Sequence, residues 1–230
     1  MKDNLNKLLQ VRNLANGEAA LYFYGEIVSS WWGAWDAADQ YPEKIRNFLA
    51  GVSDKNLNLH INSGGGSVVA AMAIVNMLRG HSGKKTCYID GLAASSASAI
   101  ALCCDRVIMP RNTFLMIHRT TMSASGNANE MKQCAEILEK AEECMLSVYE
   151  GALASGVSIE TVKDLMYKET WFTAEEAARY FRVEIAEAIA EPAAMAAKEL
   201  PKSAPEAIKK IAALALERER LKLLNLKKEG

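Results

Sequence analysis

LNLHINSGGGSVVAAMAIVNMLRG (57–80) is the stretch that decides the fold class. Leu57, Leu59 and Ile61 alternate with Asn58, His60 and Asn62, which predicts a half-buried strand over 57–62. Gly64, Gly65 and Gly66 then break the strand, and 67–80 reads as a helix stopping at Gly80. A glycine-rich passage from strand to helix can point backbone N–H groups at an anion, either a phosphate or the oxyanion of a tetrahedral intermediate. A plain tight turn explains the same glycines.

The same rhythm continues on both sides. LYFYGEI (21–27) reads as a strand and YPEKIRNFLAG (41–51) as a helix ended by Gly51. KKTCYID (84–90) is strand-like, ASSASAIALCC (94–104) a short buried helix, and DRVIMP (105–110) and TFLMIH (113–118) two further strands. Alternation of this kind predicts an α/β fold with a largely parallel sheet. A long helix follows over 127–154, with Met131, Cys134, Ile137, Leu138, Ala141, Met145 and Val148 spaced three or four apart; it protrudes or packs against a partner. Another helix begins after Ser158, and Thr173 with Glu176 forms a capping box opening TAEEAARY. The main domain is thus read as 1–190. Alanines with Pro192 and Pro201 mark 191–204 as a linker, and 205–230 as an appended amphipathic helix without a clean heptad.

The 230 residues suffice for one sizeable domain, and 27 basic against 28 acidic side chains leave a net charge of −1, which disfavours a general nucleic-acid surface. Five cysteines, Cys87, Cys103, Cys104, Cys134 and Cys144, lack CxxC or Cys/His zinc spacing and read as reduced, buried structural thiols in a cytosolic setting. No signal peptide or roughly 20-residue apolar span is evident, so a soluble cytoplasmic protein is expected, with no membrane or nucleic-acid partner, metal or cofactor.

Only three histidines, His60, His81 and His118, are available to any mechanism that needs an imidazole. His60 sits inside a strand and His81 in a Gly/Ser turn expected to be exposed; His118 ends a strand, where it can act as a general base at neutral pH. A lone histidine is commonly structural. GLAASSASAI (91–100) leads from a strand into a helix with three serines, and a serine in its first turn would have its hydroxyl near unpaired backbone donors, although Ala/Ser runs also serve close packing. GHSGKKT (80–86) is rejected as a P-loop because its glycine spacing is wrong, Lys85 stands where Ser or Thr should follow GK, and a strand comes next.

Together INSGGGSVVAAMAI, GLAASSASAI, FLMIH and ETWFTAEEA, in that order over about 20–190, resemble the proteolytic subunit of the Clp protease, most of all the phage- and prophage-encoded relatives associated with head maturation. The resemblance implies a spiral of ββα units with a protruding handle helix, and a serine endopeptidase. It assigns the nucleophile to Ser95 and the general base to His118. The acid falls on Glu169, where the family normally has aspartate; Asp164 is the fallback. The oxyanion hole falls on the backbone N–H groups of Gly65 and Ser96. Gly64 stands in place of the family's proline, and Phe181 in place of a glycine, which implies different local packing there.

By the same resemblance the chain assembles as a ring-forming homo-oligomer, two stacked heptamers with active sites inside a barrel. The resemblance further implies polypeptide substrates and, as partners, a separate Clp-type ATPase or phage capsid or scaffold proteins. SASGNANE (123–130) would be the adaptable segment pairing with an extended substrate. The 191–230 tail would serve as an assembly element or a self-cleavage substrate. Three other readings compete: a weakly active or inactive oligomeric scaffold, a crotonase-type acyl-CoA enzyme on the same spiral, and a signal-peptide-peptidase-like protease with a lysine base.

Overall fold

The computed structural model describes residues 18–30, 33–34 and 39–187. The 191–204 linker and the 205–230 helix therefore lie outside the described residues. Among those described, seven strands and six helices alternate along the chain: β1 (Ala19–Tyr24), α1 (Pro42–Ala50), β2 (Leu57–Ser63), α2 (Val68–Gly80), β3 (Lys85–Ala94), α3 (Ser96–Leu102), β4 (Arg106–Pro110), β5 (Phe114–Ile117), α4 (Ala128–Glu150), α5 (Ile159–Tyr167), β6 (Thr170–Phe172), α6 (Ala174–Tyr180) and β7 (Val183–Ala186). The sheet runs β1-β2-β3-β4-β7, all neighbours parallel. This is the α/β architecture with a parallel sheet that the alternation of patterns predicts.

In β2 the alternation holds over its first part: Leu57, Leu59 and Ile61 are fully buried and Asn58 and His60 half-buried, whereas Asn62, expected on the polar face, is buried at 6% exposure. Ser67 caps α2 by accepting from Ala70 N at 3.3 Å, and the helix buries Ala70, Ala71, Ile74, Val75 and Leu78. α3 is buried along its whole length, which its alanines and serines permit because small side chains let neighbouring backbones approach.

β3 connects the two arms of the sheet. It continues four residues past the predicted strand, because Gly91–Ala94 run extended where the sequence suggested a turn. Its first half pairs with β4 and its second half, Leu92–Ala94, with β5. β5 in turn pairs antiparallel with β6, with Leu115 opposite Phe172 and Ile117 opposite Thr170. The ends of β3, β5 and the start of β6 are therefore neighbours.

Other boundaries also move. The first strand covers 19–24 instead of 21–27, since Gly25 at φ 127° turns the chain. The long helix ends at Glu150; its start is fixed by a capping box in which Asn127 accepts from Glu130 N and Glu130 accepts from Asn127 N. Only its second half packs inward, on Glu142, Met145, Leu146, Val148 and Tyr149, whereas Ile137 is 56% exposed. Phe181 fills the space beside it, its ring edge-on to Tyr149 at 6.0 Å and to Phe172 at 6.1 Å. Of the cysteines, Cys87 is buried but Cys144 is exposed, so buried structural thiol does not describe all five.

Candidate active site

Ser95 follows β3 directly and caps α3, with φ 54° and ψ −128°. An L-residue in this region is strained by about 1–3 kcal/mol, a cost that persists only where the surroundings over-determine it. Here Ser95 N donates to Met116 O at 2.9 Å, carrying the β3–β5 pairing one residue further. The bent backbone turns the side chain toward the neighbouring strand end. Ser95 Oγ lies 2.7 Å from His118 Nε2.

His118 comes immediately after β5. Extending the β5–β6 register by one residue brings it across from Glu169, which precedes β6 and adopts φ 50°. Burial lowers the His118 pKa below its ordinary value, and the charge of Glu169 acts in the opposite sense. The Glu169 carboxylate does not hydrogen-bond the imidazole among the described residues; it accepts a long bond, 3.4 Å, from Trp171 Nε1. Asp164, the fallback acid, is exposed on α5.

The glycine turn lies over the serine. A Cβ on Gly65 would stand 2.8 Å from Ser95 Cβ and 3.0 Å from Ser96 N, and Gly65 and Gly66 adopt φ 97° and 143°. Only glycine accommodates both demands. Gly64 is not among the positive-φ glycines, so its replacement of proline is not forced by a left-handed backbone. Of the two expected oxyanion donors, Ser96 N opens α3 and has no intrahelical acceptor, as the first N–H groups of any helix do not. Gly65 N–H instead donates to Ser63 Oγ at 3.1 Å, a commitment the motif alone did not reveal.

The other histidines are engaged elsewhere. His60 Nδ1 shares the Asp90 carboxylate at 2.9 and 3.2 Å, and its ring is stacked between Tyr22 and Tyr88. His81, expected to be exposed, is half-buried because Nε2 bonds to Lys55 O at 2.8 Å. Two side chains of α4 also reach the site's surroundings without having been singled out. Glu142, 3% exposed, receives both Nε and a terminal nitrogen of Arg119, the residue after His118. Tyr149 meets Ser98. Their spacing within the amphipathic helix was the available signal, but a polar residue on an inward face shows its partner only after folding.

A serine on a strained turn, bonded to a half-buried imidazole beneath a glycine-rich loop, is the arrangement in which a nucleophile meets its general base. Comparison with known families agrees in class: the Clp protease family model matches residues 35–185, well over half of the chain, which thus belongs to that family. The chain is 31% identical over 131 residues to an ATP-dependent Clp protease proteolytic subunit of Ligilactobacillus salivarius, covering 56% of this chain and 65% of that protein. It is 31% identical over 121 residues to proteolytic subunit 1 of Chlamydia abortus, covering 51% and 62%. Against proteolytic subunit 3 of Streptomyces avermitilis the identity is 29% over 174 residues, covering 74% and 75%. The matched stretch thus spans under two thirds of the first two relatives' lengths. No helix among the described residues is long and apolar enough to cross a membrane.

Proposed function

We propose that the protein is a serine endopeptidase in which Ser95 is the nucleophile, His118 the general base and Glu169 the acid that stabilises the imidazolium. The observation that carries this reading is the 2.7 Å bond between Ser95 Oγ and His118 Nε2 at a strained serine. With the imidazole proton on Nδ1, Nε2 takes the hydroxyl proton as Oγ attacks a peptide carbonyl carbon. The proton passes to the leaving amine as the C–N bond breaks, and water then releases the acyl group from Oγ by the same base. Ser96 N–H is the first oxyanion donor. Gly65 N–H joins it by exchanging Ser63 Oγ for the oxyanion.

Family membership also supports self-assembly and a Clp-type ATPase partner, since the relatives are named as subunits of an ATP-dependent protease. The phage-type assignment, an enzyme of the cytoplasm that cuts capsid or scaffold proteins, rests on the motif resemblance. The 191–230 tail, in this reading, is an assembly element. The test is chemical. A fluorophosphonate should form an adduct that mass spectrometry maps to Ser95 and that Ser95→Ala abolishes. A folded oligomer of wild type that gives no adduct favours the scaffold reading instead.

A further inference from the structure

The Ser95–Ser96 peptide unit carries an oxyanion donor on its nitrogen. Its oxygen receives two hydrogen bonds from one residue, Ser98 N at 3.0 Å and Ser98 Oγ at 2.5 Å. Ser98 Oγ lies in turn 2.7 Å from the Tyr149 hydroxyl of α4. A serine hydroxyl has a single proton; since that proton goes to the Ser95 carbonyl, the bond from Tyr149 must be donated by the phenol. The series therefore has one direction, from Tyr149 O–H to Ser98 Oγ and from Ser98 O–H to the Ser95 carbonyl. Ser98 and Tyr149 are both fully buried, so solvent does not compete for these bonds. Burial pushes the Tyr149 pKa well up, which keeps the phenol a donor across the working range.

We propose that Tyr149 and Ser98 are positioning residues for oxyanion binding, fixing the Ser95–Ser96 peptide plane and polarising the Ser96 N–H. In a trans peptide the C=O and N–H point in opposite directions, so holding the oxygen toward Ser98, inside α3, aims the Ser96 N–H the other way, out of the start of that helix. Hydrogen bonds donated to an amide oxygen also draw electron density from its nitrogen and strengthen the N–H as a donor, the cooperativity expected of bonds in series. The strained ψ of −128° at Ser95 sets the same plane and needs such a restraint. Phe181, at the position of the family's glycine, packs edge-on against the Tyr149 ring and holds the first donor in place. This deepens the peptidase reading and rests on it.

The test uses the full chain and three readouts: kcat and KM for a fluorogenic peptide, Ki for a peptide aldehyde whose serine adduct puts its oxygen in the hole, and Tm. Tyr149→Phe keeps the ring and removes the donor. It should lower kcat about three- to tenfold and raise the aldehyde Ki by the same factor, with KM unchanged. Ser98→Ala should lose at least as much, Ser98→Thr should recover part of it, and the double variant with Tyr149→Phe should be no worse than Ser98→Ala alone, as bonds in series require. Wild-type kcat and Ki in Tyr149→Phe overturn the proposal, as does a loss that adds fully to that of Ser98→Ala. Should Ser98→Ala not fold, the kcat and Ki of Tyr149→Phe decide alone. A wild-type protein with no hydrolysis that Ser95→Ala removes overturns the peptidase reading, and this one with it; hydrolysis that Ser95→Ala removes but Tyr149→Phe leaves intact overturns only this one.

Discussion

Replacing Gly65 by alanine tests whether the glycine turn acts on Ser95 directly. The added Cβ would stand 2.7 Å from Ala94 O, 2.8 Å from Ser95 Cβ and 3.0 Å from Ser96 N. Unstrained separations between such atoms are about 3.5–4.0 Å, so the turn and the serine must part by on the order of 0.5–1 Å. At φ 97° the alanine adds a backbone cost of about 1–2 kcal/mol. Two other glycines separate these terms. Gly156 has φ 82° with nothing within 4 Å of its added Cβ, and Gly80 has open space without a positive φ. Gly80→Ala should be neutral, or gain up to about 1 kcal/mol from helix propensity. Gly156→Ala should lose about 1–2 kcal/mol and acylate normally. Gly65→Ala should lose more than Gly156→Ala, and its Ser95 acylation rate should fall about 100-fold, since displacements near 1 Å carry costs of that order. Denaturant unfolding and single-turnover fluorophosphonate labelling measure the two quantities. A Gly65→Ala protein that acylates at the wild-type rate refutes the reasoning, and so does a Gly156→Ala protein that is equally impaired.

In the proposed mechanism His118 must be neutral to accept the Ser95 proton, so the acid limb of kcat/KM should lie below the ordinary histidine value of about 6.5, because burial disfavours imidazolium. Glu169→Gln removes the charge that opposes this shift, so the limb should move to still lower pH while kcat falls about 10- to 100-fold; that is less than the roughly 10⁴-fold loss where the acid is directly bonded to the base. A pH–rate profile showing the limb moving upward would contradict the placement of that charge. Phe181→Ala, which empties a site 1% exposed between Tyr149 and Phe172, should cost about 3–5 kcal/mol in denaturant unfolding; a loss under 1 kcal/mol would mean the ring is not part of the core.

What was legible in the sequence was whatever depends on near neighbours. Leu57, Leu59 and Ile61 announce their face by alternation, and Thr173 with Glu176 announces a helix start that both side-chain bonds bear out. β6 and β7 were not legible, because three and four residues are too few to show a period and neither is a continuously apolar run like the FLMI of β5. The extended course of Gly91–Ala94 was hidden for another reason. Those residues are covered on both faces, so no polar position marks an alternation, and glycine and alanine favour turn and helix readings over strand.

The candidate site divides along the same line. A serine-bearing small-residue turn and a strand-end His118 are visible in local context; the family resemblance picks Ser95 from the three serines, and the structure brings its side chain to His118. The relation of His118 to Glu169 has no local basis: it follows from how three residues of β6 register against β5. One step of slip in that short ladder would set Lys168 or Thr170 across from His118 and reverse which side chains face the sheet's two sides. Phe172 guards against this, since its fully buried ring, packed on Phe181, cannot be turned outward without exposing a large apolar surface. The carboxylate whose charge acts on His118 is thus set by a hydrophobic anchor three residues away. For that reason a change at Phe172 should disturb the His118 titration even though its ring carries no charge.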